Sequence, residues 1–228
     1  MILVPEKHSP YYNLTDAFKE KHCPVCYLAR KSVTRFFDDL LYERTNDPGI
    51  RQAVKTPGGF CEKHFWQLVE FNDGFGISSF CRDMLLETVG QWKLGKNLKK
   101  EGKAKCLACE VWNETEKNYV SLFCENIQEP EFKRAFESSF GLCLSHFKKA
   151  YLLCGEDLKK TDLLNLQLSK MENLAKELEE FDKKHDYQHA HEEYGAEGDS
   201  WVRAVEFLKG QAALLHDSTG RPSAEKGS

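Results

Sequence analysis

Residues 23–26 read Cys-Pro-Val-Cys and residues 59–64 read Gly-Phe-Cys-Glu-Lys-His. Further along, residues 106–109 read Cys-Leu-Ala-Cys and residues 141–146 read Gly-Leu-Cys-Leu-Ser-His. Cys23 and Cys106 are 83 positions apart, as are Cys26 and Cys109, while Cys61 to Cys143 and His64 to His146 are each 82. Asp47-Pro48 matches Glu129-Pro130, Ala53 matches Ala135, and Phe65 matches Phe147 at the same offsets. A chance recurrence of cysteines would not bring the proline, the glycine and the aromatic with it. The chain contains an internal duplication, and its period governs how everything else is read.

Between these motifs the apolar residues recur at helical rather than alternating spacing. Val33, Phe36, Phe37, Leu40 and Leu41 lie at i, i+3, i+4, i+7 and i+8. Pro24 suits a first helical turn, where its missing N–H is not needed. The spacing predicts helices over 24–43, 48–54, 60–71 and 77–92, then 107–127, 130–137 and 142–153 in the second copy. A long helix over 158–187 follows, with Leu164, Leu168, Met171, Ala175 and Leu178 forming a heptad seam. A short helix over 200–215 carries Trp201, Val202, Val205, Phe207 and Leu208. The predicted class is all-α: two tandem pseudo-repeats, a long C-terminal helix and a short terminal one. The expected divisions are 1–95, 96–155, 156–217 and a polar tail over 218–228.

On a helix, residues three apart share a face. Each Cys-x-x-Cys can therefore aim two sulfurs at one point, and each Cys-x-x-His a sulfur and an imidazole. Three thiolates with one imidazole make a closed tetrahedral shell, and zinc is the metal that such soft donors suit. The spacing within each repeat pairs Cys23 and Cys26 with Cys61 and His64, and Cys106 and Cys109 with Cys143 and His146. That pairing asks residues 46–57 to return along a helix of about 30 Å, which requires them to be partly extended. Two zinc ions per chain are expected, with an iron–sulfur cluster or a redox dithiol as the alternative. A closed shell is structural rather than catalytic, so the motifs do not point to an enzyme.

The other candidates read more plainly. Cys81, Cys124 and Cys154 have no counterpart in the other repeat and read as small buried hydrophobes. His185, His189 and His191 with Asp182 and Asp186 resemble a metal cluster, yet they sit in an acidic, strongly hydrated stretch. Lys93, Lys96, Lys99, Lys100, Lys103 and Lys105 read as a charged linker without the interleaved aromatics that stack bases. The heptad seam over 164–178 offers a homodimer interface, though burial within its own domain is the simpler use. Trp201, Arg203 and the terminal helix are the expected partner surface. Neither Cys-x-x-Cys is followed by His, which removes covalent haem attachment, and there is no phosphate-binding glycine loop, nucleophile elbow or His-Glu-x-x-His.

Composition narrows the classes further. The 228 residues carry a net charge of −4, the wrong sign for a protein devoted to the nucleic-acid backbone. The longest purely apolar runs, 25–29 and 150–154, are five residues each, far short of a membrane span. Nine cysteines, an odd number, grouped in metal-ligand spacing and with no export signal point to a reducing, cytoplasmic setting.

The motifs at 23–26, 59–64, 106–109 and 141–146, with Phe181-x4-Asp186-Tyr187 and Ser200-Trp201-x-Arg203-Ala204, resemble a prokaryotic domain-of-unknown-function family of about this length. Some of its members carry an ABC-transporter label without support. Leu107 stands where the family's second Cys-x-x-Cys has proline, a change that removes no ligand. The resemblance covers nearly the whole chain and implies a cytoplasmic protein with eight motif ligands. It implies no activity.

Overall fold

The computed structural model describes residues 8–55, 59–96, 106–155, 157–187, 189 and 191–211. Those residues form α1 (Ser9–Ala17), α2 (Pro24–Tyr42), α3 (Pro48–Lys55), α4 (Glu62–Val69) and α5 (Gly74–Lys93). After them come α6 (Leu107–Asn126), α7 (Pro130–Glu137), α8 (Leu144–Leu153), α9 (Asp157–Lys184), a 3-10 turn over Ala196–Asp199 and α10 (Ser200–Lys209). No strand occurs among the described residues, so the fold is all-α as the periodicity requires. No helix among them is long and apolar enough to cross a membrane.

The stop and start signals are local and visible. α2 buries Val33, Phe37, Leu40 and Leu41 along one stripe, and the Thr45 hydroxyl closes its end by donating to the Leu41 carbonyl at 2.7 Å. Asp47 accepts the Ile50 N–H at 2.8 Å ahead of α3, and Asp73 accepts the Gly76 N–H at 2.9 Å ahead of α5. α1 was not foreseen. Its signal is present in Ser9-Pro10 and in Tyr11, Leu14, Ala17 and Phe18, all buried at helical spacing.

The chain divides into two compact units, and they are not the two sequence repeats. The first comprises the residues up to Ala29 together with Thr115–Gln211; the second is Arg30–Glu114. The divisions fall inside α2 and α6, so each of these helices begins in one unit and ends in the other. In the first unit, Phe18, Phe123, Phe132 and Phe136 pack edge to face with centroids 4.8–6.5 Å apart. Leu14, Ile127, Leu142 and Leu163 complete that core. In the second unit, Phe37 packs against Phe60 and Phe71 at 5.5 and 5.6 Å, joined by Val33, Leu40, Leu68 and Phe80. Arg51 on α3 binds Asp83 on α5 at 2.7 Å.

The heptad seam is turned from its expected orientation. The residues of α9 that are buried are Leu163 and Gln167, whereas Leu168 and Ala175 of the seam are exposed. α9 is covered instead by α8, α10 and the 3-10 turn. α10 stops at Gly210, whose positive φ of 84° ends the helix; the predicted continuation over 212–215 and the tail over 218–228 lie outside the described residues, as do the linker lysines 99, 100, 103 and 105.

Candidate metal centres

All eight motif residues converge into two groups, each with its donor atoms within 4.8 Å of one another. The membership corrects the expected pairing. Cys23 and Cys26 meet Cys143 and His146 in the first unit; Cys61 and His64 meet Cys106 and Cys109 in the second. Each centre thus takes its Cys-x-x-Cys from one repeat and its Cys-x-x-His from the other. The reason lies in α3. The expected pairing needed residues 46–57 stretched, but eight residues there are helical and rise only about 1.5 Å each. The chain therefore enters α4 beside the far half of α2, where Phe37 lies edge-on to the His64 ring.

The spacings suit a tetrahedral ion. With about 2.3 Å to sulfur and about 2.0 Å to nitrogen, the edges of such a shell are about 3.8 Å between sulfurs and about 3.5 Å from sulfur to nitrogen. Cys26 and Cys143 stand 3.7 Å apart, as do Cys61 and Cys109. His146 Nδ1 lies 3.4, 3.3 and 3.1 Å from Cys23, Cys26 and Cys143, and His64 Nδ1 lies 3.3 Å from each of its three sulfurs. None of the six cysteines is tied in a disulfide. Three sulfurs around one imidazole nitrogen fit zinc's donor preference and leave no ligand position for substrate.

Every ligand pair opens a helix. The carbonyls of Cys23, Cys61, Cys106 and Cys143 accept the first helical hydrogen bonds of α2, α4, α6 and α8, from Tyr27, Phe65, Glu110 and Phe147. Two helix N-termini therefore open at each donor set, a position that favours thiolate over thiol, and the Cys109 N–H donates to Cys106 Sγ at 3.4 Å. Gly59 and Gly141, at φ of 71° and 92°, turn the chain into α4 and α8. These are left-handed conformations that a side chain would strain.

Around the shared donor set the two centres differ. His146 Nε2 lies 2.7 Å from Glu116, whose other oxygen accepts from Lys149 at 2.5 Å. A carboxylate behind a histidine fixes ring orientation and tautomer and raises the basicity of the ligating nitrogen. His64 Nε2 is buried with no hydrogen-bond partner among the described residues. At the position equivalent to Glu116, 83 residues earlier on α2, stands Val33, fully buried. Gln167 also favours the first centre: it donates to the Leu142 carbonyl at 2.6 Å and accepts the Leu142 N–H at 3.4 Å, next to ligand Cys143. Against Gly59 the neighbouring side chain is Met84, and against Gly141 it is Lys170 with Gln167. Finally, Gly210 lies directly on the first centre, where a Cβ would come within 3.3 Å of Cys26 Sγ.

The charge states of the metal-free groups follow these surroundings. Burial opposes a proton on His146, but hydrogen bonds with Cys143, Cys26 and Glu116 outweigh it and lift the imidazole to about 11. Hydrogen bonds from Cys23 and Cys26 hold the Cys143 thiol far below its ordinary value. Burial, helped by neighbouring Lys63, lowers His64 to about 4. Burial and the neighbouring Cys106 push Cys109 up to about 12.

The remaining candidates fall elsewhere. Cys124 and Cys154 are buried, with sulfurs 2.7 Å apart, and Cys124 also donates to the Ala150 carbonyl at 3.3 Å; Cys81 is half-buried. His185 contacts the Phe181 carbonyl and Tyr194, and His189 contacts Glu192. With His191 exposed, these histidines gather no metal-binding group among the described residues. Arg203 is spent on Asp199, Glu177 and the Ala196 carbonyl, while Trp201 is exposed. Glu116, Gln167 and Gly210 were missed by sequence reasoning. The signal for Glu116 was its misfit: the duplication puts an acid opposite a core valine.

No solved structure matches the chain. An "Uncharacterized 23.9 kDa protein in xynA 3'region" of Caldicellulosiruptor sp. (strain Rt8B.4) is 31% identical over 202 residues, covering 86% of this chain and 99% of that protein. A family model described as a family of unknown function (DUF6062) matches residues 11–103 and 91–214. With nearly the whole sequence matched, the chain belongs to the DUF6062 family.

Proposed function

We propose that this chain is a zinc-binding helical protein whose two ions are structural, and that it serves as a binding or adaptor module rather than an enzyme. One observation carries the reading: each group supplies four protein donors at tetrahedral spacing. The ion would neutralise clustered thiolates and cross-link helix starts that are distant in sequence, and its binding free energy would be folding free energy. Cys23, Cys26, Cys143 and His146 hold one ion; Cys61, His64, Cys106 and Cys109 hold the other. A reducing cytoplasmic compartment suits a chain that needs six free thiolates.

Metal analysis of protein purified without oxygen tests this. Two zinc per chain and no visible absorbance are expected. Iron and sulfide in place of zinc, or reversible oxidation of Cys23 and Cys26, would overturn it in favour of an iron–sulfur or dithiol protein.

A further inference from the structure

We propose that the two centres divide their labour: the first unit holds its ion permanently, and the centre of the second unit is an exchangeable site that loads and empties with metal supply. This rests on the zinc reading above and goes beyond it, because the donor sets are identical and only their surroundings distinguish them.

Three independent features point the same way. The first is the carboxylate. Glu116 behind His146 orients the ligand, and Lys149 holds Glu116 in turn. The duplication replaces this pair with Val33 and Gln67, and His64 Nε2 is left buried without a hydrogen-bond partner among the described residues. Loss of such a support changes metal affinity by roughly 10- to 100-fold.

The second is access. Cys23, Cys26, Cys143 and His146 are at most 2% exposed. In the second unit, Cys61 and Cys109 are half-buried, so solvent reaches two of its three cysteines. Ligand exchange at a closed tetrahedral ion needs an incoming group at the metal–sulfur bond, and only this centre admits one.

The third is the cover. The end of α10 brings Gly210 against Cys26 and Cys143, and Glu206 on the same helix binds His22, just ahead of the Cys-x-x-Cys, at 2.8 Å. The first centre is thus closed by a C-terminal helix that must leave before its ion can.

The full-length protein loaded with two zinc ions decides the matter. It is challenged with excess chelator while native mass spectrometry counts ions and alkylation identifies the thiols that appear. One ion should leave at least about tenfold faster than the other, and Cys61, Cys106 and Cys109 should be alkylated while Cys23, Cys26 and Cys143 stay protected. Tryptophan fluorescence should follow the first ion lost, because Trp66, Trp92 and Trp112 all lie in the second unit and Trp112 is three residues from Cys109. Glu116→Gln should shrink the ratio of the two release rates about tenfold without changing the number of ions bound. Simultaneous release, labelling of Cys23, Cys26 and Cys143 first, or a ratio indifferent to Glu116→Gln would overturn the proposal while leaving the zinc reading intact. A chain that never binds two ions would overturn both.

Discussion

Each centre sets three cysteines and one histidine at two helix starts, yet among the described residues one is propped and roofed while the other is not. His146 leans on Glu116, its neighbouring loop is clamped by Gln167, and Gly210 lies over its sulfurs. Among the described residues, His64 Nε2 has no such partner. The comparison separates two jobs. Short motifs choose what is bound, because three-residue spacing at a helix start is enough to converge two donors. Residues far away in sequence, Glu116, Gln167 and Gly210, set the surroundings in which the two groups differ.

The ligands themselves give the largest expected effect. His146→Ala should empty the first centre and unfold the first unit, and His64→Ala should do the same to the second, because a site contributes on the order of 10 kcal/mol, comparable to a domain's entire stability. Helicity by circular dichroism and ion counting check this, and a folded variant that retains one ion with full helicity would refute a structural role. Gly210→Ala comes next. At φ 84° and ψ 170° it strains the backbone and presses on Cys26, so a loss of up to about 3 kcal/mol should appear in thermal melts of the first unit.

Gln167→Met removes the clamp while keeping an unbranched side chain of similar length. It leaves the buried Leu142 N–H and carbonyl without their side-chain partner, which should cost about 2 kcal/mol in urea unfolding. A neutral result would show that the clamp does not distinguish the units. The smallest effect belongs to Asp83, held below its ordinary carboxylate value chiefly by its hydrogen bond with Arg51. Because the folded value is depressed, the pair contributes fully above the ordinary carboxylate range, and its contribution fades as pH falls through the lower folded value. Asp83→Asn should cost about 1 kcal/mol at neutral pH and flatten the acid limb of the second unit's stability profile, read from urea midpoints between about pH 5 and pH 3.

Most of the fold was legible because its determinants are local. The stripe on α2, the prolines at the starts of α2, α3 and α7 and the helix-opening cysteines all declare themselves within a few residues. The eight donors were legible because they occur twice. Which pairs meet was not, and the energetics explain why. Closing Cys106 onto His64 spans 42 positions, against 35 from Cys26 to Cys61 in the expected pairing, a difference of about 0.2 kcal/mol in chain entropy. Closing Cys143 onto Cys26 spans 117 positions rather than 34 from Cys109, about 1 kcal/mol more. Both are small beside the stability of a filled site, so spacing carries almost no information about partners. What bears on the pairing is α3, a helix that the spacing predicts over 48–54 and that coils a segment the rival arrangement needed stretched. α9 gave a smaller lesson: a heptad count found the helix but placed its buried side about one residue away from Leu163 and Gln167.

The crossed pairing has a consequence for how such a chain can arise. Neither repeat owns a complete shell; each carries one Cys-x-x-Cys and one Cys-x-x-His that are satisfied only by the opposite repeat. A lone half would have to find a mate, and two identical halves laid across one another would satisfy every thiol. The duplicated chain thus carries, within one polypeptide, the exchange of donors that a swapped dimer makes between two. Its halves are not alike, and Glu116 opposite Val33 marks one place where they differ.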